Sequence, residues 1–198
     1  VNSNGDAGDA NLSDGVCSTT NGGSECTLRA ALEQTNAFAT STYITFSDER
    51  FILPNSPLPA ITTPVEIDGL SQGSCSSSGV HGLNVTLDGV NAGGAANGLN
   101  FAAGSDGSTV KGLVIGRFTA NGILIESSNN DILCNHIGED GSGKFGNGGD
   151  GVSVNEGNNN DIGGSGTNRN VISGNTGRGI ELGEPASTSE LALHADAA

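Results

Sequence analysis

Apolar residues recur along this chain in pairs set two apart, each pair just behind a glycine. Leu99 and Phe101 follow Gly98, Ile123 and Ile125 follow Gly122, Val152 and Val154 follow Gly151, and Ile180 and Leu182 follow Gly179. Side chains two apart share one face of a strand, so each pair predicts a short strand with a single buried face. The glycines are 24, 29 and 28 residues apart. Whole segments repeat with the same period. GNGGDGVSV at 146–154 returns as GNTGRGIEL at 174–182, 28 positions later, and NNDI at 129–132 returns as NNDI at 159–162, 30 positions later. Self-similarity on this scale is the mark of a stacked solenoid.

The pattern therefore predicts an all-β chain: a right-handed parallel β-helix from about Thr62 to Gly183, with Ile123, Ile125, Val152, Val154, Ile180 and Leu182 pointing inward. The longer rounds carry loops, expected at 138–149 and 163–168. Val65–Gly69 and Val85–Gly89, 20 positions apart, look like an earlier repeated pair. Glycine and asparagine are expected at corners, where they tolerate left-handed backbone angles. Asn130 with Asn160, and Asn135 with Asn170, are candidates for a ladder inside successive corners.

The first third differs. Thr27–Asn36 is the one good helical pattern: Leu28, Ala31 and Leu32 share a face, Thr27 is placed to cap the N-terminus and Asn36 to end the helix. A short amphipathic helix ahead of a solenoid predicts a cap over the first round. Tyr43–Phe46 and Phe51–Leu53 follow as the first strands. One elongated domain results: residues 1–61 as loop, capping helix and first strands, 62–183 as the repeated rounds, and 184–198 as a tail.

Composition supports this picture. Hydrophobic residues make up only 34% of the chain, and 33 of 198 residues are glycine, which suits a solenoid in which each round buries a thin inward stripe. The chain has no methionine and begins at Val1, the expectation for an exported, processed protein. No apolar run has the length of a membrane span. Of the four cysteines, Cys17 and Cys26 form the close pair, and an oxidising compartment is expected. For Cys75 and Cys134 a mutual bond is expected, with the choice between one chain and two left open. The net charge of −15 with only seven basic residues excludes nucleic acid as a partner.

Several segments carry a family resemblance. Val1-Asn2-Ser3, Gly8-Asp9-Ala10-Asn11, Asp14-Gly15-Val16-Cys17 and Cys26-Thr27-Leu28-Arg29-Ala30-Ala31-Leu32 resemble the N-terminal "CSLREA"-type segment of bacterial secreted and surface proteins. Ile67-Asp68-Gly69, Gly112-Leu113-Val114-Ile115, Asn135-His136-Ile137-Gly138, Ile162-Gly163-Gly164 and Arg169-Asn170-Val171-Ile172-Ser173-Gly174-Asn175 resemble the parallel β-helix repeats that follow it there. The resemblance runs from Val1 to about Leu182 and implies fold and export. It assigns no activity, since the family's members are diverse surface proteins.

Chemistry has to come from sites. Asp131 and Asp161 fall one round apart, a spacing that suits paired acid and base carboxylates of a polysaccharide lyase or glycoside hydrolase; their shared Asn-Asn-Asp-Ile context also reads as a repeated turn. Lys111 and Arg117 have no catalytic motif beside them, and His81, His136 and His194 are isolated. Asp6, Asp9, Asn11 and Asp14 place four oxygen donors in one glycine-containing loop, a candidate site for a structural calcium; no other cofactor is expected. With one tyrosine and no tryptophan, the chain is read as lacking an aromatic platform for sugars. The tail carries Leu191, Leu193 and Ala195 in alternation, the pattern of a short strand able to dock on a solenoid edge. The favoured expectation is a non-catalytic extracellular structural protein, secreted or on the cell surface, that self-assembles head to tail into a filament. A secreted protein that binds or cleaves polysaccharide is the alternative.

Overall fold

The structure, a computed structural model, describes residues 1–38, 40–76, 82–139 and 145–183. One α-helix and fourteen short strands account for its main elements. Helix α1 (Leu28–Ala37) begins where Thr27 caps it, the threonine side chain accepting from the Ala30 N–H. It runs past Asn36, which is not its end. The Asn36 amide instead ties the helix to the chain ahead, donating to Ala60 O at 2.7 Å and accepting from Thr62 N at 2.9 Å. Leu28, Ala31 and Leu32 face the core as the pattern predicts.

The strands are β1 (Thr42–Thr45), β2 (Arg50–Ile52), β3 (Val65–Asp68), β4 (Val85–Asp88), β5 (Leu99–Phe101), β6 (Thr109–Lys111), β7 (Leu113–Gly116), β8 (Ile123–Glu126), β9 (Asp131–Leu133), β10 (His136–Ile137), β11 (Val152–Glu156), β12 (Asp161–Ile162), β13 (Val171–Ile172) and β14 (Ile180–Leu182). They form three wholly parallel sheets. The first runs β1-β3-β6-β9-β12, the second β2-β4-β7-β10-β13 and the third β5-β8-β11-β14. From β3 onward, consecutive strands visit the three sheets in rotation, so each round of the chain contributes one strand to each sheet.

The register turns the sequence period into stacked columns. Ile44, Ile67, Val110, Ile132 and Ile162 are successive partners in the first sheet. Ile52, Leu87, Ile115, Ile137 and Ile172 are partners in the second. Leu99, Ile123, Val152 and Ile180 form one column of the third, and Phe101, Ile125, Val154 and Leu182 the other. These columns are the core. Five of the six residues expected to point inward are buried or half-buried; Leu182, on the last strand, is 50% exposed because no further described round lies over it.

Three readings of the sequence are corrected. Val65–Gly69 and Val85–Gly89 are not the same position on successive rounds, since β3 and β4 lie in different sheets. The parallel sheets begin at β1, ahead of Thr62, and Ile61 already bridges to Phe101 in the third sheet. The glycines before the apolar pairs stack directly, Gly98 donating to Asn121 O, Gly122 to Asp150 O and Gly151 to Arg178 O. They are required by closeness and not by a left-handed backbone: a Cβ on Gly122 would lie 2.7 Å from Gly151 O, and one on Gly151 2.6 Å from Gly179 O. The corner asparagines do use the left-handed region, Asn129 at φ 59° and Asn159 at φ 56°.

Asparagine ladders join the rounds inside the corners. Asn130 stacks on Asn160 and Asn135 on Asn170, as the repeat suggests, and Asn147 stacks on Asn175 in the same way. In each pair the lower backbone N–H and side-chain Nδ2 both donate to the upper Oδ1. Asn130, Asn135, Asn147 and Asn160 are buried and Asn170 and Asn175 half-buried, so the ladder satisfies interior polar groups that would otherwise cost about 1–3 kcal/mol each. Two disulfides complete the frame, Cys17–Cys26 and, within the chain, Cys75–Cys134. No helix among the described residues is long and apolar enough to cross a membrane.

Candidate functional site

The outer face of the first sheet carries the densest chemistry. Outward positions on neighbouring strands line up as Tyr43, Glu66, Thr109, Asp131 and Asp161. The adjacent row holds Asp68, Lys111 and Leu133. Strands in a sheet lie about 4.8 Å apart, so this face is a band of carboxylates with one lysine in it.

Lys111 is the centre of an ion cluster. Its Nζ lies 2.6 Å from Glu66 Oε1 and 3.4 Å from Asp68 Oδ2. The hydrogen bond to Glu66 raises the pKa of the ammonium, Asp68 adds to the rise, and burial offsets only part of it. A lysine held protonated in this way cannot take a proton from a substrate. Asp131 and Asp161 are direct partners across β9 and β12, as the repeat predicts. Burial raises the Asp131 pKa, and the neighbouring Asp161 carboxylate raises it further. Two like charges stacked in this way repel.

The remaining candidates are not brought to this face. His136 sits on the second sheet, in register with Val114 and Val171. Arg117 donates from Nε to Asp88 Oδ1 at 2.8 Å, pairs through its Nη2 with the second oxygen, and lies over the Phe145 ring at 5.5 Å. Asp88 is fully buried and also caps the Val90 N–H, so this pair fastens a corner. His81 and His194 lie outside the described residues, as do Leu191, Leu193 and Ala195 of the tail.

The four donors of the N-terminal loop are used by the chain itself. Both Asp6 oxygens bind the Arg29 guanidinium, and one also accepts from Asn55 N. Asp9 accepts from the N–H groups of Asn11 and Ser18, Asn11 from Ser13, and Asp14 from Val16. The contacts to Asn11, Ser13 and Val16, each two residues on, cap turns, while Asp6 is held in an ion pair and Asp9 also ties the loop to Ser18. Among the described residues no group of three or more His, Cys, Asp or Glu side chains is arranged to hold a metal.

The expectation that the chain lacks exposed aromatics is corrected. Phe38, Tyr43 and Phe51 are 40%, 71% and 46% exposed. Phe38 caps the end of α1, and Tyr43 and Phe51 point outward from the first strand of their sheets. A count of aromatic residues carries no information on where they lie, whereas the outward phase of Tyr43 beside inward Ile44 was visible in the alternation of Thr42–Thr45.

Comparison of the chain with family models, with curated proteins and with solved structures finds no match in any of the three.

Proposed function

We propose that the chain is a right-handed parallel β-helix that serves as a non-catalytic structural module of a secreted or cell-surface protein and pairs with a second copy through the open edge of its last round. The right hand follows from the strong preference of parallel crossover connections. Two disulfides suit an oxidising compartment, and the resemblance to CSLREA-type surface proteins points the same way.

The observation that carries the assembly reading is the contrast between the two ends. At the first round, α1 buries Leu28, Ala31 and Leu32 against the core, and Val1 pairs with the β1 edge through Thr45 O at 2.6 Å and Ser47 N at 3.0 Å. At the last, β12, β13 and β14 each end their sheet among the described residues. Ile172 and Ile180 are only half-buried and Leu182 is exposed, where Ile137, Val152 and Val154 one round earlier are buried. Strand edges with an apolar rim are templates for another chain.

An open filament needs a receiving end at the start of the stack, and α1 with the Val1 segment bonded to Thr45 and Ser47 covers it. Two copies meeting edge to edge about a twofold axis need only the edge that is present and close the assembly. Catalysis is disfavoured by the protonated Lys111 and by the separation of His136 and Arg117 from the aspartate pair. Calcium plays no part in this reading, because the loop donors already hold Arg29 and backbone N–H groups.

Sedimentation velocity tests the proposal. The intact chain is expected to run as a dimer, Leu182→Lys as a monomer, and a chain lacking Glu190–Ala198 as a dimer still. A monomeric intact chain at high concentration, or growth into filaments, overturns the paired form.

A further inference from the structure

A cleft of about 370 Å³ lies between the N-terminal loop, α1 and the segment leading into β1. It is at the opposite end of the stack from the open edge. Its volume is within the range of small-molecule sites, about 300–1,000 Å³. Gln34, Thr35, Phe38, Thr40, Thr42 and Tyr43 line it, over the Cys17–Cys26 disulfide.

The lining has a definite chemistry. Phe38 and Tyr43 supply aromatic surface at the rim, and both are exposed. Four threonines line it, Thr35, Thr40, Thr42 and, beyond Tyr43, Thr45. Gln34 is 92% buried, and its Nε2 donates to Leu12 O at 3.3 Å while its Oε1 has no hydrogen-bond partner. That oxygen is closed off from solvent, and a buried amide oxygen left unpaired costs about 1–3 kcal/mol, so a turn of the Gln34 side chain toward an occupant's O–H or N–H donor is favoured. None of these side chains is charged at neutral pH, the Val1 ammonium that also borders the cleft is taken up by Thr45 O at 2.6 Å, and a chain of net charge −15 repels anions.

We propose that this cleft binds a neutral carbohydrate. A pyranose ring offers what the lining calls for: hydroxyl donors for Gln34, hydroxyls that exchange hydrogen bonds with the threonines, and an apolar C–H face for Phe38 and Tyr43. The site is independent of the paired edge, and either proposal can fail without the other.

Tyr43 is the only tyrosine, and the chain has no tryptophan, so intrinsic fluorescence reports on the cleft directly. The intact protein is titrated with cellobiose, maltose and N,N′-diacetylchitobiose, with digalacturonate as the charged comparison, to about 10 mM, the range of weak single-sugar binding. A saturable change in tyrosine emission is expected with at least one neutral disaccharide and none with digalacturonate. Phe38→Ala, at an exposed position that leaves the fold intact, is expected to weaken binding at least about tenfold, and Gln34→Leu likewise if its circular dichroism is unchanged. Asp161→Asn, on a distant round, leaves binding as it is. No saturable change with any neutral disaccharide, equal affinity in Phe38→Ala, or preference for digalacturonate overturns the proposal.

Discussion

Asn130 sits directly beneath Asn160, and a single oxygen of the upper residue holds both the backbone N–H and the side-chain Nδ2 of the lower one, each at 2.9 Å. Asn130 in turn accepts from Ser108 N at 3.0 Å and donates to Ser127 Oγ at 2.9 Å. One residue type thereby links three rounds through a corner that is fully buried.

Asn130→Ala breaks that chain in its middle and strands the Ser108 N–H away from water. A loss of about 3 kcal/mol is expected, from two or three buried partners left unpaired. Asn175→Ala, whose site is partly open on the last round, is expected to cost about 1 kcal/mol. Equilibrium urea unfolding of both variants measures the difference, and equal losses would contradict the ladder as an interior support.

The two disulfides close very different loops. Cys75 and Cys134 are 59 residues apart and Cys17 and Cys26 only 9. Loop-closure entropy gives about 4 kcal/mol for the first and about 3 kcal/mol for the second. Cys75→Ser is therefore expected to lower the unfolding midpoint more than Cys26→Ser. The reverse order would mean that the N-terminal loop, not the tie across the rounds, is the stability-limiting element.

The stacked aspartates predict a pH dependence. Burial and Asp161 raise the Asp131 pKa in the folded chain above its ordinary 3.8. The folded state then holds its proton more tightly than the unfolded one. The associated stability is full below the ordinary pKa and is lost as pH rises through the folded value. Asp131→Asn removes this decline. At neutral pH the variant is expected to be more stable by about 0.5 kcal/mol, the scale of like charges facing across strands. Unfolding at pH 7 and at pH 3.5 checks it: a variant less stable than the parent at pH 7 would show that the Asp131 charge is used.

The repeat made the columns, the corner asparagines and the Asp131–Asp161 partnership legible, because each depends on period alone. Asn147 over Asn175 was written in the same repeat and follows from it equally. What period cannot convey is which sheet a strand joins, so β3 and β4 look like one repeated unit in sequence yet lie in different sheets. Nor does it distinguish a glycine needed for its backbone angle from Gly122, needed because the next round passes where a Cβ would stand. The cleft was hidden for a further reason. It is built by Gln34 on a helix, Phe38 at its cap and Tyr43 on a strand, and no spacing in the sequence links them.

Amide hydrogen exchange followed against protein concentration tests the central claim most directly, that one end of the stack is closed and the other is a pairing edge. Exchange at β12, β13 and β14 is expected to slow as concentration rises, while α1 and β1 keep the same rates throughout. Rates at β14 that do not change with concentration, or slowing at α1 and β1 instead, would contradict it.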